Sequence, residues 1–372
     1  MGKTPSRNVT EYWNNGDHDW VSIKDLGSYG KYVGRTKETI SNLGVAESRI
    51  KVVPENTLIM SFKLSLGKTA ITVAPTYTNE AIMAFLNKKA FPIDLNYMYH
   101  QFSAKDWTAG TNIAVMGKTL NKKTLGAAHI CVPNIETQRE IASRLDYVCE
   151  QIRLVKQQLA LLDELVKSRF VEMFGTAQDP KYAVVPVENV CSAIVDCPHE
   201  TPKYEGCLVH PAIRTSELTG TGISWETMKY VSDEEYLRRI RRIKPLPGDV
   251  VYAREGTYGN AAVLPEGHDF CLGQRTMLFR PKAELCLSNY LLHALTSVDV
   301  KRQADELNVG STVPHVNVRD AKRFAIPMPP IREQQEFADF VAQVDKLRVE
   351  AQAQKEKLQT LYDSLAQDYF AI

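Results

Sequence analysis

Ile135 to Leu145 reads I-E-T-Q-R-E-I-A-S-R-L, and Ile331 to Val341, 196 residues further on, reads I-R-E-Q-Q-E-F-A-D-F-V. Gln138, Glu140 and Ala142 recur as Gln334, Glu336 and Ala338, and Ile141 is answered by Phe337. Each copy follows a proline-marked strand end, H-I-C-V-P (His129 to Pro133) and A-I-P-M-P-P (Ala325 to Pro330). Each runs on to a phenylalanine, Phe174 or Phe370. A period this long with a helical tail means two similar modules, each a globular part followed by a long helix. Two similar modules suggest two similar things to bind.

After the first copy, Ile141, Leu145, Val148, Ile152, Val155, Leu159, Leu162 and Val166 alternate in steps of four and three, which is a coiled-coil seam. A helix from about Glu136 to Phe174 would span roughly 60 Å at 1.5 Å per residue. The second copy carries Phe337, Val341, Val344, Leu347, Ala351, Leu358, Leu361 and Leu365, with a middle (R-V-E-A-Q-A-Q-K-E-K) poor in large apolar groups. Either stripe alone would be a wet apolar face. The two helices are therefore expected to lie antiparallel within one chain, related by an approximate two-fold axis; the alternative is a seam that recruits another protein.

The globular parts read as mixed α/β. Candidate strands are V-V-Y-A (Val250 to Ala253), A-A-V-L (Ala261 to Leu264) and T-M-L-F-R (Thr276 to Arg280), and S-N-Y-L-L-H-A-L-T-S (Ser288 to Ser297) reads as a helix with a Ser N-cap. The repeat extends weakly into them. P-E-N-T-L-I-M-S (Pro54 to Ser61) matches P-G-D-V-V-Y-A-R (Pro247 to Arg254), N-E-A-I-M-A-F (Asn79 to Phe85) matches G-Q-R-T-M-L-F (Gly273 to Phe279), and W-V-S-I-K-D-L (Trp20 to Leu26) matches A-I-R-T-S-E-L (Ala212 to Leu218). The matches are mostly scaffold, and the polar residues between them differ. The expected boundaries are a globular part over 1–134, a helix over 135–175, a second globular part over 176–328 and a second helix over 329–372.

At 372 residues, two or more domains are expected, and 44% hydrophobic with 24% charged residues is ordinary for a soluble globular protein. No apolar run is long enough for a transmembrane helix, and M-G-K-T-P-S-R-N lacks the apolar core of a secretory signal. Seven scattered cysteines fit reduced thiols, hence a cytoplasmic protein with no membrane partner. The net charge of +1 conceals a gradient: residues 1–135 carry 16 Lys+Arg against 10 Asp+Glu, and residues 176–325 carry 18 against 19. A basic first domain hints at a polyanion.

Catalytic patterns fail. G-K-T occurs at Gly2, Gly67 and Gly117, but the glycine a phosphate loop needs five residues earlier is replaced by Phe62 and Asn112, and the first copy has no upstream chain. P-M-P-P (Pro327 to Pro330) lacks the acid or amide and the aromatic of amino-methyltransferases, and no G-x-G-x-x-G follows a strand. Cys191, Cys197, His199, Cys207 and His210 could be read as zinc ligands, but their spacing matches no standard finger. Asp249 and Glu255 imitate a nuclease pair without its lysine. No metal, no cofactor and no catalytic residue are expected in this chain.

Polar groups do sit where a base-reading loop would want them. R-T-S (Arg214, Thr215, Ser216) follows a short apolar strand, and A-R-E-G-T-Y-G-N puts Arg254 and Tyr258 on a Gly-flexed loop. Gln274 and Arg275 lie in G-Q-R; Ser311, Thr312, His315 and Asn317 lie in G-S-T-V-P-H-V-N. Arg can grip guanine and Gln or Asn adenine with two hydrogen bonds each, at about 1–3 kcal/mol of discrimination. L-R-R-I-R-R-I-K offers Arg238, Arg239, Arg241 and Arg242 to phosphates, or else is a solvated face balanced by Asp233, Glu234 and Glu235. In the first part the analogous candidates are Lys24, Lys31, Lys63, Lys68, Thr69, Tyr77 and Asn79.

With these residues in view, the chain resembles the specificity (S) subunit of a bacterial type I restriction-modification enzyme over nearly its whole length. D-C-P-H-E-T-P-K-Y (Asp196 to Tyr204), I-R-T-S-E-L (Ile213 to Leu218), P-G-D-V-V-Y-A-R-E-G-T-Y-G-N-A-A (Pro247 to Ala262) and C-L-G-Q-R-T-M-L (Cys271 to Leu278) resemble one class of target-recognition domain. G-K-T-P-S-R (Gly2 to Arg7), E-Y-W-N (Glu11 to Asn14) and W-V-S-I (Trp20 to Ile23) resemble another, and P-P-I-R-E-Q-Q-E-F-A (Pro329 to Ala338) resembles the start of the family's spacer helix. The resemblance implies two target-recognition domains, each reading half of a bipartite site in double-stranded DNA, and helices that act as ruler and dock for methyltransferase (M) subunits. Those subunits would bring S-adenosylmethionine, and restriction (R) subunits would add ATP- and Mg-dependent cleavage. Two other readings stay open: a protein-interaction scaffold, and a self-sufficient nuclease or methyltransferase fragment.

One departure stands out. About 25 residues (Gly175 to Glu200), including A-V-V-P-V-E-N-V, precede T-P-K-Y in the second module, whereas only Met1 to Lys3 precede T-P-S-R in the first. The first domain is expected to have its fold completed by another segment, or its DNA reading impaired.

Overall fold

The computed structural model describes all residues except 14, 15, 64, 108–112, 115, 116, 119, 121, 177, 207, 208, 221, 257, 309–314, 371 and 372, and only the backbone at 113, 114, 117, 118 and 122. The chain forms two compact units, Met1–Gln157 with Gln352–Ile372 (unit 1) and Gln158–Ala351 (unit 2). Both are mixed α/β, and two 40-residue helices, Ile135–Phe174 and Ile331–Phe370, each lend one half to each unit.

In unit 2 an antiparallel sheet runs in the order Cys191–Asp196, Thr276–Pro281, Val250–Ala253, Ala261–Val263. Its strands alternate in the way a two-sided core requires. Val250, Tyr252, Met277 and Phe279 face one apolar cluster with the helix Ser288–Leu295 and the long helices. Val251, Ala253 and Leu278 face a second cluster with Ile213, Phe270 and Leu272. A second sheet sets His210–Ile213 antiparallel to Lys229–Val231 and parallel to Cys271–Leu272. A third pairs Val184–Pro186 with Ala325–Pro327.

Unit 1 repeats the plan. Leu58–Ser61 lies between Thr69–Ile71 and Ile82–Phe85, all antiparallel. His18–Val21 is antiparallel to Glu38–Ile40 and parallel to Tyr77–Thr78. The helix Leu95–Ala104 corresponds to Ser288–Leu295. Ser288 is not that helix's N-cap: Leu287 is, with no side-chain cap, and the Leu287 N–H donates to Gln334 at 2.8 Å.

Within each unit the long helices run antiparallel. In unit 2, Asp163 meets Arg348 at 2.7 Å, while Phe170 and Phe174 lie 5.5 Å from Phe337. In unit 1, Ile141 and Leu145 share a core with Tyr362, Leu365, Tyr369 and Phe370, and Arg144 donates to the Tyr369 hydroxyl at 3.2 Å. Two expected seam residues, Leu347 and Leu361, are exposed. Their neighbours Arg348 and Tyr362 take the inward places. A 3.6-residue helix drifts against a strict three-four count, and polar groups on the facing elements capture the residue one step along.

Candidate nucleic-acid interface

Three unit 2 segments converge at one end of the central sheet: the end of Cys191–Asp196, the residues after Val250–Ala253, and the turn before Thr276. Asp196 accepts from Arg242 at 2.5 Å, lies 2.9 Å from His199 and 3.5 Å from Arg254. Glu255 meets Arg275 at 3.2 Å and Arg254 at 3.5 Å. Arg275 holds a left-handed φ of 65° while its carbonyl accepts from Arg254 N–H at 2.9 Å. His315 forms an isolated bridge with Glu255, and Val316 N–H donates to Arg254 carbonyl at 2.9 Å, which brings His315 and Val316 to the same place. Arg242, Arg275 and His199 project to solvent while Arg254 is buried behind them with its Nε unpartnered. The exposed Arg242 and Arg275, held by two carboxylates that the buried Arg254 also meets, make an oriented cationic surface suited to phosphate or to guanine edges.

Several expected contacts are instead part of the scaffold. Arg214 donates to Glu217 at 3.1 Å and to Thr227 carbonyl at 2.7 Å, and the fully buried Glu217 also accepts from Ser216 and Thr227 hydroxyls. Thr215 opens the short helix Thr215–Glu217 that this carboxylate closes. Arg239 is only 3% exposed, and its guanidinium donates to the Leu272 and Glu200 carbonyls at 2.9 and 3.2 Å. Arg238 grips Glu235 at 2.8 and 2.9 Å, and these bonds hold the Glu235 carboxyl below its usual range. The run from Leu237 to Lys244 therefore splits: Arg239 turns inward, Arg238 is tied at the surface to Glu235 and Glu200, and Arg241 and Arg242 stay exposed. Asn317 caps the helix Val318–Ala321, accepting from Asp320 N–H at 2.9 Å. Tyr258 bonds Asp305 and lines a cavity of about 380 Å³ beside the long helices. Gln274 is half-buried next to Arg275; Ser311 and Thr312 lie outside the described residues.

The zinc reading does not assemble. Cys191 and Cys197 are buried in different apolar clusters, His210 stacks on Tyr236 at 3.9 Å, and Cys207 lies outside the described residues. Asp249 accepts from Arg280 at 2.7 and 2.8 Å, a buried structural pair.

In unit 1, Lys24 and Lys68 are exposed, and Lys63 lies 5.5 Å over the Phe62 ring. Lys31 is spoken for: its ammonium sits 2.6 Å from Asp146 on the first long helix. Thr69 is buried in its strand, donating to Gly67 carbonyl at 2.8 Å. Asn79 braces a turn through Ala81 N–H at 2.8 Å, and Tyr77 packs edge-on to His18 at 5.4 Å. Arg7, absent from the expected set, stacks 3.7 Å over Trp13 and pairs with Glu38.

Residues 1–164 and 210–360 match the family model described as "Type I restriction modification DNA specificity domain". The chain belongs to that family. It is 29% identical over 177 residues to the MjaIX specificity subunit of Methanocaldococcus jannaschii, and 30% identical over 156 residues to the EcoR124I/EcoR124II specificity subunit of Escherichia coli. These matches cover 46% and 39% of the chain but only 40% and 37% of those relatives' own lengths. A 22% match to the MjaVIII specificity subunit of M. jannaschii covers 96% of the chain and 86% of that relative. In fold, the chain is similar to a type I system S subunit from M. genitalium, with a TM-score of 0.50 and 11% identity over 100% of this chain and 93% of that one. It is also similar to a chain from a study of type I complex assembly, with a TM-score of 0.55 and 18% identity over 94% and 90%.

In this specificity-domain chain, sequence reasoning missed the part played by the acids, reading Glu255 only as half of a failed nuclease pair. Asp196 and Glu255 decide which arginines are presented, and Asp196 was legible only as the first letter of D-C-P-H. Arg7 closed a quoted motif, and the tryptophans of the two motifs after it, Trp13 and Trp20, were the signal for a stacked cation.

Proposed function

We propose that the chain is a non-catalytic DNA-recognition subunit of a type I restriction-modification complex, cytoplasmic, reading a bipartite target with one half-site per unit. The observation that carries this reading is one fold present twice with different residues at corresponding strand ends. Arg254 N–H donates to the Arg275 carbonyl in unit 2 where Phe62 N–H donates to the Ala81 carbonyl in unit 1. This strand pairing shifts the sequence match of Arg254 from Ser61 to Phe62. A shared scaffold with divergent tips suits two readers of different sequences. Arg242 and Arg275 contact phosphate or guanine in unit 2, with Arg241 beside them; Lys24, Lys63, Lys68 and Arg7 serve unit 1. The long helices dock M subunits, which bring S-adenosylmethionine; R subunits add ATP and Mg. No described helix is long and apolar enough to cross a membrane.

Methylation sequencing of cells that express the chain with a cognate M subunit tests this. A two-part methylated motif that disappears without the chain is expected; an unchanged methylome sinks the proposal. On purified complex, Arg242→Ala and Arg275→Ala should each weaken DNA binding about tenfold and flatten its salt dependence. Arg239→Ala should instead destabilise unit 2 by about 3 kcal/mol, because it leaves the Leu272 and Glu200 carbonyls without their donor in the interior.

A further inference from the structure

Where the unit 2 sheet ends at Asp196 and Ala253, charged side chains are stacked in three layers. Arg242 and Arg275 are outermost and exposed, and the carboxylates of Asp196 and Glu255 lie beneath them. Arg254 is innermost, its side chain only 10% exposed. The contacts loosen inward. Asp196 meets Arg242 at 2.5 Å but Arg254 at 3.5 Å, and Glu255 meets Arg275 at 3.2 Å but Arg254 at 3.5 Å. Arg254 Nε has no hydrogen-bond partner among the described residues.

An arginine drawn inward to hold a fold together is bonded tightly, because its desolvation has to be offset. Unit 2 has two of that kind: Arg280 meets Asp249 at 2.7 and 2.8 Å, and Arg239 donates to the Leu272 carbonyl at 2.9 Å. Arg254 has no side-chain bond of that quality, although its backbone is fixed from both sides by 2.9 Å bonds with Arg275 and Val316. Unit 1 shows what accompanies it. Phe62 holds the inner place there, and the residue after it is Lys63 where unit 2 has Glu255. The inner cation and the carboxylate beside it are therefore both present in one unit and both absent from the other.

We propose that Arg254 is a positioning residue for DNA reading, the internal counter-charge that lets Asp196 and Glu255 release Arg242 and Arg275 to DNA. This rests on the reading that the two outer arginines contact DNA. In the free chain the carboxylates hold those arginines oriented. When a phosphate or a guanine edge takes an outer guanidinium, the carboxylate it leaves closes on Arg254, and the 3.5 Å contact shortens to a hydrogen bond. Arg254 itself touches no DNA. Without it, two bare acids would lie beneath a polyanion, and their repulsion would keep the outer arginines on the carboxylates.

DNA binding by the chain in complex with its M subunits, measured over a range of salt on a duplex carrying the methylated motif, tests this. Arg242→Ala combined with Arg275→Ala should lower the slope of log affinity against log salt by about two. Unchanged affinity and slope there would mean that neither arginine contacts DNA, and the DNA-contact reading falls together with this proposal. Arg254→Gln should reproduce that loss of slope and weaken binding about tenfold or more, although it removes no DNA contact. Arg254→Lys keeps the charge and should recover most of the loss. Asp196→Asn and Glu255→Gln, added to Arg254→Gln, remove the acids that Arg254 offsets and should bring the slope back to that of the wild type. Where the outer pair matters, a wild-type slope for Arg254→Gln, or no recovery in the triple variant, overturns this proposal alone. If Arg254→Gln does not fold, the triple variant, which leaves no unpaired charge at the site, decides by itself. A slope shallower than wild type by about one would then make Arg254 a DNA contact and overturn the proposal.

Discussion

Gln138 in unit 1 and Gln334 in unit 2 occupy equivalent places and are each 0% exposed. Gln138 accepts from Asp94 N–H at 2.8 Å and donates to the Pro92 and Pro133 carbonyls at 3.1 and 2.8 Å. Gln334 accepts from Leu287 N–H at 2.8 Å and donates to the Leu285 and Pro329 carbonyls, both at 2.9 Å. Each clamp ties the start of a long helix to the start of the domain helix and to the proline-marked segment before it. The histidines one turn away tell the opposite story. His100 sits fully buried, 2.8 Å from Asp146 and 3.0 Å from Tyr362 hydroxyl. His293 holds the same place in unit 2, but Ala342 and Val166 replace the acid and the phenol, and its ring packs edge-on to Phe337 at 5.2 Å. Where the helices must be aimed, the two modules keep one chemistry; where the domain is merely seated on them, they have diverged.

The largest test of the shared part is Gln138→Ala beside Gln334→Ala. Each substitution strands two carbonyls and one N–H in the interior, at about 1–3 kcal/mol apiece, so each should destabilise its unit by at least ~3 kcal/mol. Denaturant unfolding followed by hydrogen exchange in the sheet of each unit measures this. One clamp proving silent would break the equivalence.

The histidines predict an order of acid opening. Burial, with Arg348 nearby, pushes His293 down to about 4 from its ordinary 6.5. Between those values the unfolded chain binds a proton that the folded unit 2 does not. The contribution is whole above about pH 6.5 and declines as pH falls toward 4, by up to ~3 kcal/mol. In unit 1, burial pushes Asp146 up, but hydrogen bonds from His100 and Lys31 outweigh it and hold the carboxyl below 3.8. Its contribution is present above that value and is lost only as pH falls further. Hydrogen exchange at pH 5 should therefore show unit 2 loosening before unit 1, and His293→Leu should remove most of the difference.

These contrasts also mark what the sequence could and could not show. The modules, both long helices, the central strands and the clamps' glutamines were legible, because burial periodicity and internal repetition are local patterns. The identity of the presenting arginines was not. Arg242 and Arg254 are set by Asp196, 46 and 58 residues away, and Arg239 is buried by carbonyls at Glu200 and Leu272. A run of four arginines gives no sign of which one turns inward until its partners have been placed by the fold. Leu347 and Leu361 mislead for a similar reason: Arg348 is drawn to the seam by Asp163, and Tyr362 by His100.

The smallest expected effect sharpens the comparison most finely, because it removes a single methyl group from equivalent positions. Ile326→Val trims a fully buried side chain beneath the strand Val184–Pro186 and should cost about 0.5–1.5 kcal/mol. Ile130→Val makes the same change at a third-exposed site with no strand over it and should stay within about 0.5 kcal/mol of wild type. Unfolding curves for the two variants, each against the wild type, measure the gap.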